Sequence, residues 1–229
     1  MTFARPRRVE RDDPPPETAA RRRLAPDERE RQIVNEAIRF FAEVGFEGQT
    51  RELAKRLGVT QPLLYRYFPT KEDLIERVYR EVYLDRWKPE WQSWIKDRSS
   101  PVAARLKRYY KDYHRTILTY EWVRIFLFAG LRGVDINRRY LKIVRERIFE
   151  AMCVELRREF GLPGVVAKPI REGEIELIWG LHASVFYFGL RRFVYGLTVP
   201  DDIDPMVEAE IDIFMAGLPA VLPRLVDGR

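Results

Sequence analysis

Apolar residues recur at steps of three and four along most of this chain, and the alternation of apolar and polar residues typical of strands is absent. Such spacing places the apolar residues on one face of an α-helix. The segment 101–118 carries it at Ala103, Leu106, Tyr110, Tyr113 and Ile117, and the segment 136–160 repeats it. Breaks are expected near 88–89, 99–101, 130–135, 161–169 and 197–205, where Gly, Pro, Ser or Asp cluster. The pattern predicts an all-α fold.

The composition excludes several classes of protein. The 229 residues include 13 Phe and 11 Tyr and are 46% hydrophobic, which is too rich in core-forming side chains for a wholly disordered chain. The single cysteine, Cys153, rules out an internal disulfide framework and a cysteine-rich zinc module. With only two histidines, His114 and His182, we expect no metal site, and no motif indicates a cofactor.

No segment has the pattern of a signal peptide or a membrane span. Residues 1–23 contain prolines and arginines but no apolar run. The longest stretch without a charge, 177–190, has 14 residues, which is short of the roughly 20 that a membrane helix needs. We therefore expect a buried helix at 177–190 and a cytoplasmic protein without a membrane partner.

The N-terminal segment 1–26 differs from the rest of the chain. It carries seven arginines against four acidic residues and has little apolar content, which predicts a disordered basic arm. Two interpretations stay open for this arm. It is either a solvated tail or a segment that inserts arginine into a DNA minor groove.

Four helix starts follow one another closely after the arm. Asp27 followed by Glu30 resembles a capping box, and Gly45 is placed to end the helix that begins there. Thr50, Thr60 and Thr70 each precede a further helical run, because a threonine hydroxyl can accept a hydrogen bond from the first backbone N–H groups. Two short helices and the head of a longer one are predicted between residues 50 and 80.

The two short helices have the features of a helix-turn-helix. Two helices cross steeply when a small residue lies at their contact and a glycine makes the turn, and Ala54 and Gly58 meet these needs. The segment 50–71 also holds five basic residues against one acidic residue, although the whole chain has a net charge of only +6. We interpret 61–68 as a recognition helix that enters the major groove, with a merely solvated basic face as the alternative.

Residues 29–80 resemble the DNA-binding domain of TetR-family transcriptional regulators. The residues that carry the resemblance are Ile33, Ala37, Phe40, Phe41, Ala42, Gly45, Phe46, Leu53, Ala54, Gly58, Val59, Leu64, Tyr65, Tyr67, Phe68, Lys71 and Leu74. Between Gly45 and Arg51 the chain is one residue shorter than the common pattern. The resemblance implies a helix-turn-helix domain at 27–72 and a larger helical domain at 73–229 that binds a ligand and forms a dimer.

The resemblance also implies roles at the DNA. Arg51 would bond guanine, Gln61 would bond a base edge, and Pro62 and Leu63 would contact thymine methyl groups. Phosphate contacts would come from side chains that set the register of the protein on the duplex. These are Thr60, Tyr65, Tyr67 and Lys71, and Arg66 completes the candidate DNA-binding set. For Phe68 we favour a place in the core.

In this family the last two helices form the dimer. Two seams of residues at steps of three and four are candidates, which would give a four-helix interface. Their members are Trp179, His182, Phe186, Val207, Ile211, Phe214 and Leu218. Pro219 and Pro223 are expected to end the second helix. The alternative is that both seams pack only within one subunit.

All five tryptophans lie outside the helix-turn-helix, in the helical region where the resemblance implies an effector. The candidate effector residues are Trp87, Trp91, Tyr110, Tyr113, Trp122, Phe126 and Trp179. Aromatic side chains line ligand cavities, and they also fill cores. If they bind an effector, its surface should be apolar or aromatic.

The preferred hypothesis is a homodimeric regulator that binds a pseudo-palindromic DNA operator and is a repressor released by a small effector. The alternative is an orphan or architectural DNA-binding dimer without a ligand. A helical enzyme is disfavoured, because the sequence holds no nucleotide-binding glycine loop and no metal-ligand spacing. Its one nearby His and Ser pair, His182 and Ser184, lies on a helix that is expected to be buried.

Overall fold

The computed structural model describes residues 25–228, and these residues form α-helices with no strand among them. The all-α fold is therefore confirmed. The helices are α1 (Pro26–Val44), α2 (Thr50–Leu57), α3 (Gln61–Tyr67), α4 (Lys71–Tyr79), α5 (Glu90–Lys96), α6 (Val102–Ile117), α7 (Tyr120–Arg132), α8 (Ile136–Val144), α9 (Glu150–Glu159), α10 (Glu172–Phe193) and α11 (Asp204–Asp227). The predicted basic arm lies outside the described residues except for Ala25 and Pro26.

The first helix begins slightly earlier than the sequence predicts. Pro26 is its first residue, and the Glu28 carboxylate accepts the backbone N–H of Ala25 at 3.2 Å. The expected pairing of Asp27 with Glu30 is therefore replaced by a contact earlier in the chain, which is possible because proline is favoured at a helix start. The predicted end is confirmed, since Gly45 follows Val44 with a φ of 74°.

Threonine caps set the later starts. The Thr60 hydroxyl accepts the N–H of Leu63, and the Thr70 hydroxyl accepts the N–H of Asp73 at 3.0 Å. A third cap was not anticipated: the Thr119 hydroxyl accepts the N–H of Trp122 and starts α7. The sequence argument missed this break because no proline or glycine accompanies it. The helix predicted over 101–118 thus ends at Ile117 and a new one follows at once.

Two π-helical turns continue the α-helices. One, Arg80–Leu84, extends α4, and the other, Arg145–Phe149, joins α8 to α9 into one continuous helix. In a π turn each N–H bonds the carbonyl five residues back, as the Asp85 N–H does with the Arg80 carbonyl at 2.9 Å. Single π turns of this kind are frequent at functional sites.

The expectation that Pro219 and Pro223 end the last helix is wrong, because α11 runs through both to Asp227. A proline inside a helix removes one hydrogen bond and crowds the preceding turn. Here that loss is offset by burial, since Leu218, Leu222 and Val226 on the same helix are each at most 2% exposed. Packing of one face overrides the local preference of the prolines.

The three N-terminal helices pack around Ile33, Phe40, Leu53 and Leu64, which are at most 1% exposed. This small domain contacts the larger one mainly through α1 and α7. The predicted boundary at 72–73 falls within α4, which contacts α1 and leads through its π turn into the larger domain. Within the range 25–228, no helix has the length and apolar character needed to cross a membrane.

Candidate nucleic-acid interface and aromatic core

The turn between α2 and α3 fixes the orientation of the candidate recognition helix. Gly58 ends α2 in the left-handed region with a φ of 63°, which glycine adopts without steric cost. Leu64, on the inner face of α3, and Phe68, which directly follows α3, are 1% and 7% exposed. The placement of Phe68 in the core is confirmed, and the opposite face of α3 is left to solvent.

The loop before α2 contains a second glycine, Gly48, at a close approach to α1. A Cβ at Gly48 would lie 2.4 Å from the Phe40 ring and 2.7 Å from Val44. No larger residue fits without moving the core ring. The short loop therefore holds the start of α2, and with it Arg51, against α1.

Gln61, a candidate base reader, and Tyr65, a candidate phosphate contact, are joined through the side chain of Thr50. The Gln61 Nε2 donates to the Thr50 hydroxyl at 3.1 Å, and that hydroxyl lies 2.9 Å from the Tyr65 hydroxyl. Thr50 thus links the first turns of α2 and α3. Sequence reasoning had identified Thr50 only as a helix start, because a contact between segments this far apart in the chain leaves no local signal.

The exposed face of α2 and α3 is positively charged and lacks compensating charge. Arg51, Lys55 and Arg66 are exposed and form no ion pair with any residue in 25–228. Arg56 differs, because it bonds Glu43 at 2.6 Å and lies over the Phe40 ring at 4.9 Å. Three of the five basic residues in this segment are therefore available to an outside anion.

The other candidate DNA contacts have mixed environments. Pro62 is exposed and Leu63 is half-buried. Tyr67 is half-buried and packs against the core, and the Thr60 hydroxyl is used in its helix cap. Lys71 Nζ donates to the Phe46 carbonyl, which ties the start of α4 to the loop after α1.

The candidate effector residues belong to a larger packed group, here called the aromatic cluster. It is formed by Tyr83, Trp87, Trp91, Tyr109, Tyr110, Tyr113, Trp122, Phe126, Tyr140, Phe149, Trp179, Phe186 and His182, which are linked by ring contacts of 4.6 to 6.5 Å. Trp91, Tyr110, Tyr113 and Trp122 are at most 2% exposed. Trp87, Phe126 and Trp179 lie half-buried at its edge. These residues form a core in this conformation.

Hydrogen bonding within the cluster is sparse. The Tyr83 hydroxyl donates to the Trp122 carbonyl at 3.0 Å, and Trp91 Nε1 donates to Asp112 at 2.7 Å. The Tyr140 hydroxyl lies 3.4 Å from the Tyr113 hydroxyl. The Tyr109 and Tyr110 hydroxyls, Trp122 Nε1 and His182 Nδ1 are buried without any partner in the described chain.

The buried tyrosine and histidine side chains of the cluster are uncharged near neutral pH. Burial lowers the pKa of His182 to about 4, so the imidazole is uncharged near neutral pH. Burial, and then the neighbouring tyrosines, raises the pKa of Tyr109 and of Tyr113 well above the usual range. Burial alone raises the pKa of Tyr110. None of these four shifts is caused by a charged side chain.

Two surface pockets of the larger domain lie apart from the candidate effector residues. One, of 530 Å³, has a lining of which half is charged, including Lys96, Glu146 and Glu150. The other, of 220 Å³, lies between α6, α10 and the loop before α11. Neither contains a residue of the predicted effector set.

Most of the candidate dimer residues lie inside the subunit. His182, Val207, Ile211 and Leu218 are between 0% and 6% exposed, and Trp179, Phe186 and Phe214 are half-buried and pack on the same core. The four buried residues cannot contact a partner subunit in this conformation. These four pack within the subunit, because the strongest apolar stripe of each helix faces its own domain, whereas Trp179, Phe186 and Phe214 keep exposed area, and a dimer role for the two seams stays a prediction.

The faces of α10 and α11 that point away from the core carry several small or apolar residues. Tyr187 and Ile213 are 48% and 70% exposed. Gly180, Ala183, Ala209, Ala216 and Gly217 are exposed on the same two helices. A Cβ built at Gly180 or Gly217 meets no atom within 4 Å. These faces leave room for the close approach of another helix.

Two arginines, Arg124 and Arg132, connect the two domains, a third, Arg139, ties α8 to α4, and sequence reasoning identified none of them. Arg124 on α7 donates to the Ala42 carbonyl at 2.6 Å and the Glu43 carbonyl at 3.3 Å, at the end of α1, and to the Phe193 carbonyl at 3.3 Å, at the end of α10. Arg132 pairs with Glu47 at 2.5 Å. Arg139 bonds both carboxylate oxygens of Glu76 at 2.6 and 2.8 Å.

Part of the sequence, and the fold as a whole, resemble those of known proteins. The sequence profile of the family described as "Bacterial regulatory proteins, tetR family" matches residues 33–78, which run from α1 into α4. A search of curated protein sequences returns no match.

Solved structures extend the likeness beyond the matched segment. A TetR-like transcriptional regulator from Rhodococcus sp. RHA1 superposes with a TM-score of 0.60 at 18% identity, covering 85% of this chain and all of that one. A tetR-family transcriptional regulator from Streptomyces coelicolor gives 0.57 at 18% identity, covering 90% and 87%. The TetR-family regulator PfmR from Thermus thermophilus gives 0.54 at 22% identity, covering 81% and 98%.

The two findings agree on one assignment. The profile identifies the helix-turn-helix, and the superpositions show the shared fold over both domains. Regulators of this family are DNA-binding proteins and not enzymes. Residues 33–78 match the family of tetR-type bacterial regulatory proteins, and the described chain shares the fold of TetR-family transcriptional regulators.

Proposed function

We propose that this regulator is a homodimeric repressor that binds a pseudo-palindromic DNA operator through α2 and α3 and is released by a small apolar or aromatic effector. The observation that carries the DNA-binding part is the cluster of three unpaired cations, Arg51, Lys55 and Arg66, beside the exposed face of α3. Unpaired cations on a protein surface neutralise the phosphates of a DNA duplex. This binding releases the counterions that are condensed on the DNA.

Within this surface, Arg51 and Gln61 are the proposed base readers. A guanidinium can bond O6 and N7 of guanine together, and an amide can do the same on adenine. The Thr50 hydroxyl holds Gln61 in place before DNA arrives, which lowers the entropic cost of ordering the amide. Pro62 and Leu63 are proposed to contact thymine methyl groups, and Thr60, Tyr65, Tyr67 and Lys71 to bind phosphates.

The proposed dimer uses the exposed faces of α10 and α11 in place of the buried seams. The exposed glycines and alanines allow two helix backbones to approach closely, and Ile213 and Tyr187 supply apolar area to bury. A twofold axis through these helices would present two copies of α3 to successive major grooves, which lie about 34 Å apart.

The proposed release couples the two domains through the arginine contacts. Arg124 bonds the ends of both α1 and α10, so a shift of α7 moves a helix of each domain. α7 also carries Trp122 and Phe126 of the aromatic cluster. An effector that binds there would favour a geometry in which the two recognition helices no longer match the grooves.

The orphan function has one observation in its favour. The aromatic cluster is closely packed in this conformation, with Trp91 and Tyr110 fully buried. A dimer without a ligand would then bind DNA constitutively, and its helical domain would serve only as scaffold. The two functions predict different responses to added aromatic compounds, so the distinction is experimental.

The test is selection of binding sites from random duplex DNA by the purified protein. We expect a recovered palindrome, with affinity that falls about 10³ to 10⁵-fold between about 50 and 200 mM salt if roughly 6–10 phosphates are contacted. Recovery of no preferred sequence, or binding that is independent of salt, contradicts the proposal.

The dimer is tested with two exposed aliphatic residues. Ile213→Glu should place a carboxylate in the interface and separate the subunits, because an unpaired charge is costly to bury. Val166→Glu is the matched control, since Val166 is 99% exposed in the loop before α10. Sedimentation velocity of both variants decides; a dimer unchanged by Ile213→Glu moves the interface elsewhere.

A further inference from the structure

Four buried polar atoms of the aromatic cluster have no hydrogen-bond partner in the described chain. They are the hydroxyls of Tyr109 and Tyr110, Nε1 of Trp122 and Nδ1 of His182. The four side chains are 0%, 0%, 2% and 6% exposed. Ring contacts connect them to Tyr113 or Tyr140, whose hydroxyls lie 3.4 Å apart, so they belong to one continuous group.

Leaving such groups unpaired is unfavourable. A buried donor or acceptor without a partner costs about 1–3 kcal/mol, and most buried polar groups in proteins are bonded. Phenylalanine in place of either tyrosine would keep the ring contacts and avoid that cost. Two neighbouring tyrosines on α6, together with an indole N–H and an imidazole nitrogen, therefore hold binding capacity that the fold itself does not use.

The cluster accommodates polarity but not charge. The hydroxyls of Tyr109 and Tyr110 stay protonated and His182 stays neutral, because burial shifts the pKa of each group away from its charged form. No ammonium, guanidinium or carboxylate of the described residues bonds any of the four unpartnered groups. A charged guest would lose its hydration here without gaining a counter-charge.

Each of the two π turns carries a ring of the cluster. Tyr83 lies in the first and contacts Trp122 and Tyr140 at 4.9 and 5.5 Å. Phe149 lies in the second and contacts Trp179 and His182 at 4.6 and 5.2 Å. Moving one residue between π and α geometry rotates the ring that it carries, and both such rings face the unpartnered groups.

We propose that the effector of this regulator is an uncharged aromatic molecule bearing hydrogen-bonding oxygens, bound among Tyr109, Tyr110, Trp122 and His182. The proposal rests on the effector-released function proposed above and adds the chemical class of the effector. Ring surfaces supply stacking and edge contacts. The phenol and indole groups donate to the oxygens of the guest, and His182 Nδ1 accepts or donates according to its tautomer.

Three naphthalene compounds of matched size test the class: naphthalene-2,6-diol, naphthalene and naphthalene-2-carboxylate. Affinities are measured by calorimetric titration of the full chain without DNA. We expect the diol to bind at least tenfold more tightly than naphthalene, since about 1.4 kcal/mol of hydrogen bonding corresponds to tenfold. The carboxylate should bind more weakly than either.

Paired tyrosine variants test the site. Tyr109→Phe and Tyr110→Phe together should remove the advantage of the diol over naphthalene while leaving naphthalene affinity within a factor of about three, because only hydroxyls are lost. These variants should also melt at or above the wild-type temperature. Tyr120→Phe, at an exposed tyrosine that contacts Phe193 outside the cluster, is the control and should retain the advantage.

Failure of the effector proposal can be distinguished from failure of DNA binding. The proposal is overturned if the diol does not bind, binds no better than naphthalene, or keeps its advantage in the double variant. Operator binding is measured on the same samples without any compound. If that binding is intact, the assigned effector chemistry alone has failed; if it is absent while the diol behaves as expected, the repressor function has failed and the site remains.

Discussion

The helix-turn-helix and the larger helical domain use charge in opposite ways. In the segment 50–71, Arg51, Lys55 and Arg66 are exposed and pair with no acidic residue in the described part of the chain. In the larger domain, Arg157 and Glu174 are 1% and 0% exposed and bond each other at 2.6 and 2.7 Å. Unpaired surface charge adds little to stability but is available to a partner, whereas a buried pair is fixed and available to none.

The buried pair also organises a loop. Arg157 donates to the carbonyls of Pro163, Lys168 and Pro169, so one guanidinium holds the connection between α9 and α10. A charge in the first region is thus a binding group, and a charge in the second is a structural one. Variants of each kind should separate DNA affinity from folding stability.

The largest expected effect is on the buried pair. Glu174→Gln leaves the Arg157 charge without its counter-charge and should lower the free energy of unfolding by about 3–5 kcal/mol. Glu159→Gln, a change at an exposed glutamate at the end of α9, should stay within about 0.5 kcal/mol. Urea unfolding of both variants measures the difference. Equal losses would remove the contrast between buried and exposed charge.

Changes at the candidate base readers should act mainly on DNA binding. Arg51→Ala and Gln61→Ala should each lose about 1–3 kcal/mol at particular base pairs. The melting temperature should be unchanged in Arg51→Ala and slightly lower in Gln61→Ala, which loses its hydrogen bond to Thr50. Arg158→Ala, at an exposed arginine on α9, should change neither. Fluorescence anisotropy on a panel of operator variants measures the preference. If either variant weakened all sequences alike, its role would be that of a phosphate contact.

The arginine that joins the domains should affect both properties. Arg124→Met removes a cation from the C-terminal ends of α1 and α10 and should lower the free energy of unfolding by about 1–2 kcal/mol. It should also reduce the effect of a bound effector on operator affinity. Arg138→Met, whose side chain is 84% exposed and pairs only locally with Asp135, is the control. A variant that melts normally and responds fully to effector would show that the coupling runs elsewhere.

The effect that is smallest at neutral pH, and that grows only in acid, is a pH dependence from the cluster. The pKa of His182 falls from 6.5 to about 4 on burial, so the unfolded chain takes up a proton before the folded one does. Its contribution to stability is therefore complete above about pH 6.5 and is lost toward pH 4, by at most about 1.4 kcal/mol per pH unit. In His182→Phe this part of the pH dependence should vanish. The melting temperatures of both proteins are measured from about pH 7.5 to about pH 4.5, on either side of the unfolded pKa. A parallel decline of the two melting temperatures would falsify the assignment.

The parts of the fold that could be predicted from sequence are those with local causes. Thr60 and Thr70 start helices through hydrogen bonds to residues three positions on, and Gly45 and Gly58 end helices through a positive φ. The inner and outer faces of α3 follow from spacing alone, which is why Leu64 and Phe68 are found where they were expected.

The parts that could not be predicted depend on contacts between distant segments. Periodicity identifies an apolar stripe but not what covers it, and so Val207 and Ile211 were assigned to a partner when they face their own domain. Pro219 was expected to end α11 because its local preference is visible and the burial of Leu218 is not. The bonds of Arg124 to α1 join residues 82 and 81 positions apart, beyond any pattern in a helical window.

The position of Arg124 between the ends of α1 and α10 has a consequence for how such a regulator would sense its effector. Coupling between two binding sites is reciprocal: if the effector weakens operator binding by some factor, operator DNA weakens effector binding by the same factor. Protein on DNA would then need a higher concentration of effector than free protein does. The induction threshold would differ between promoters, and a stronger operator would require more inducer although the protein is the same at every site.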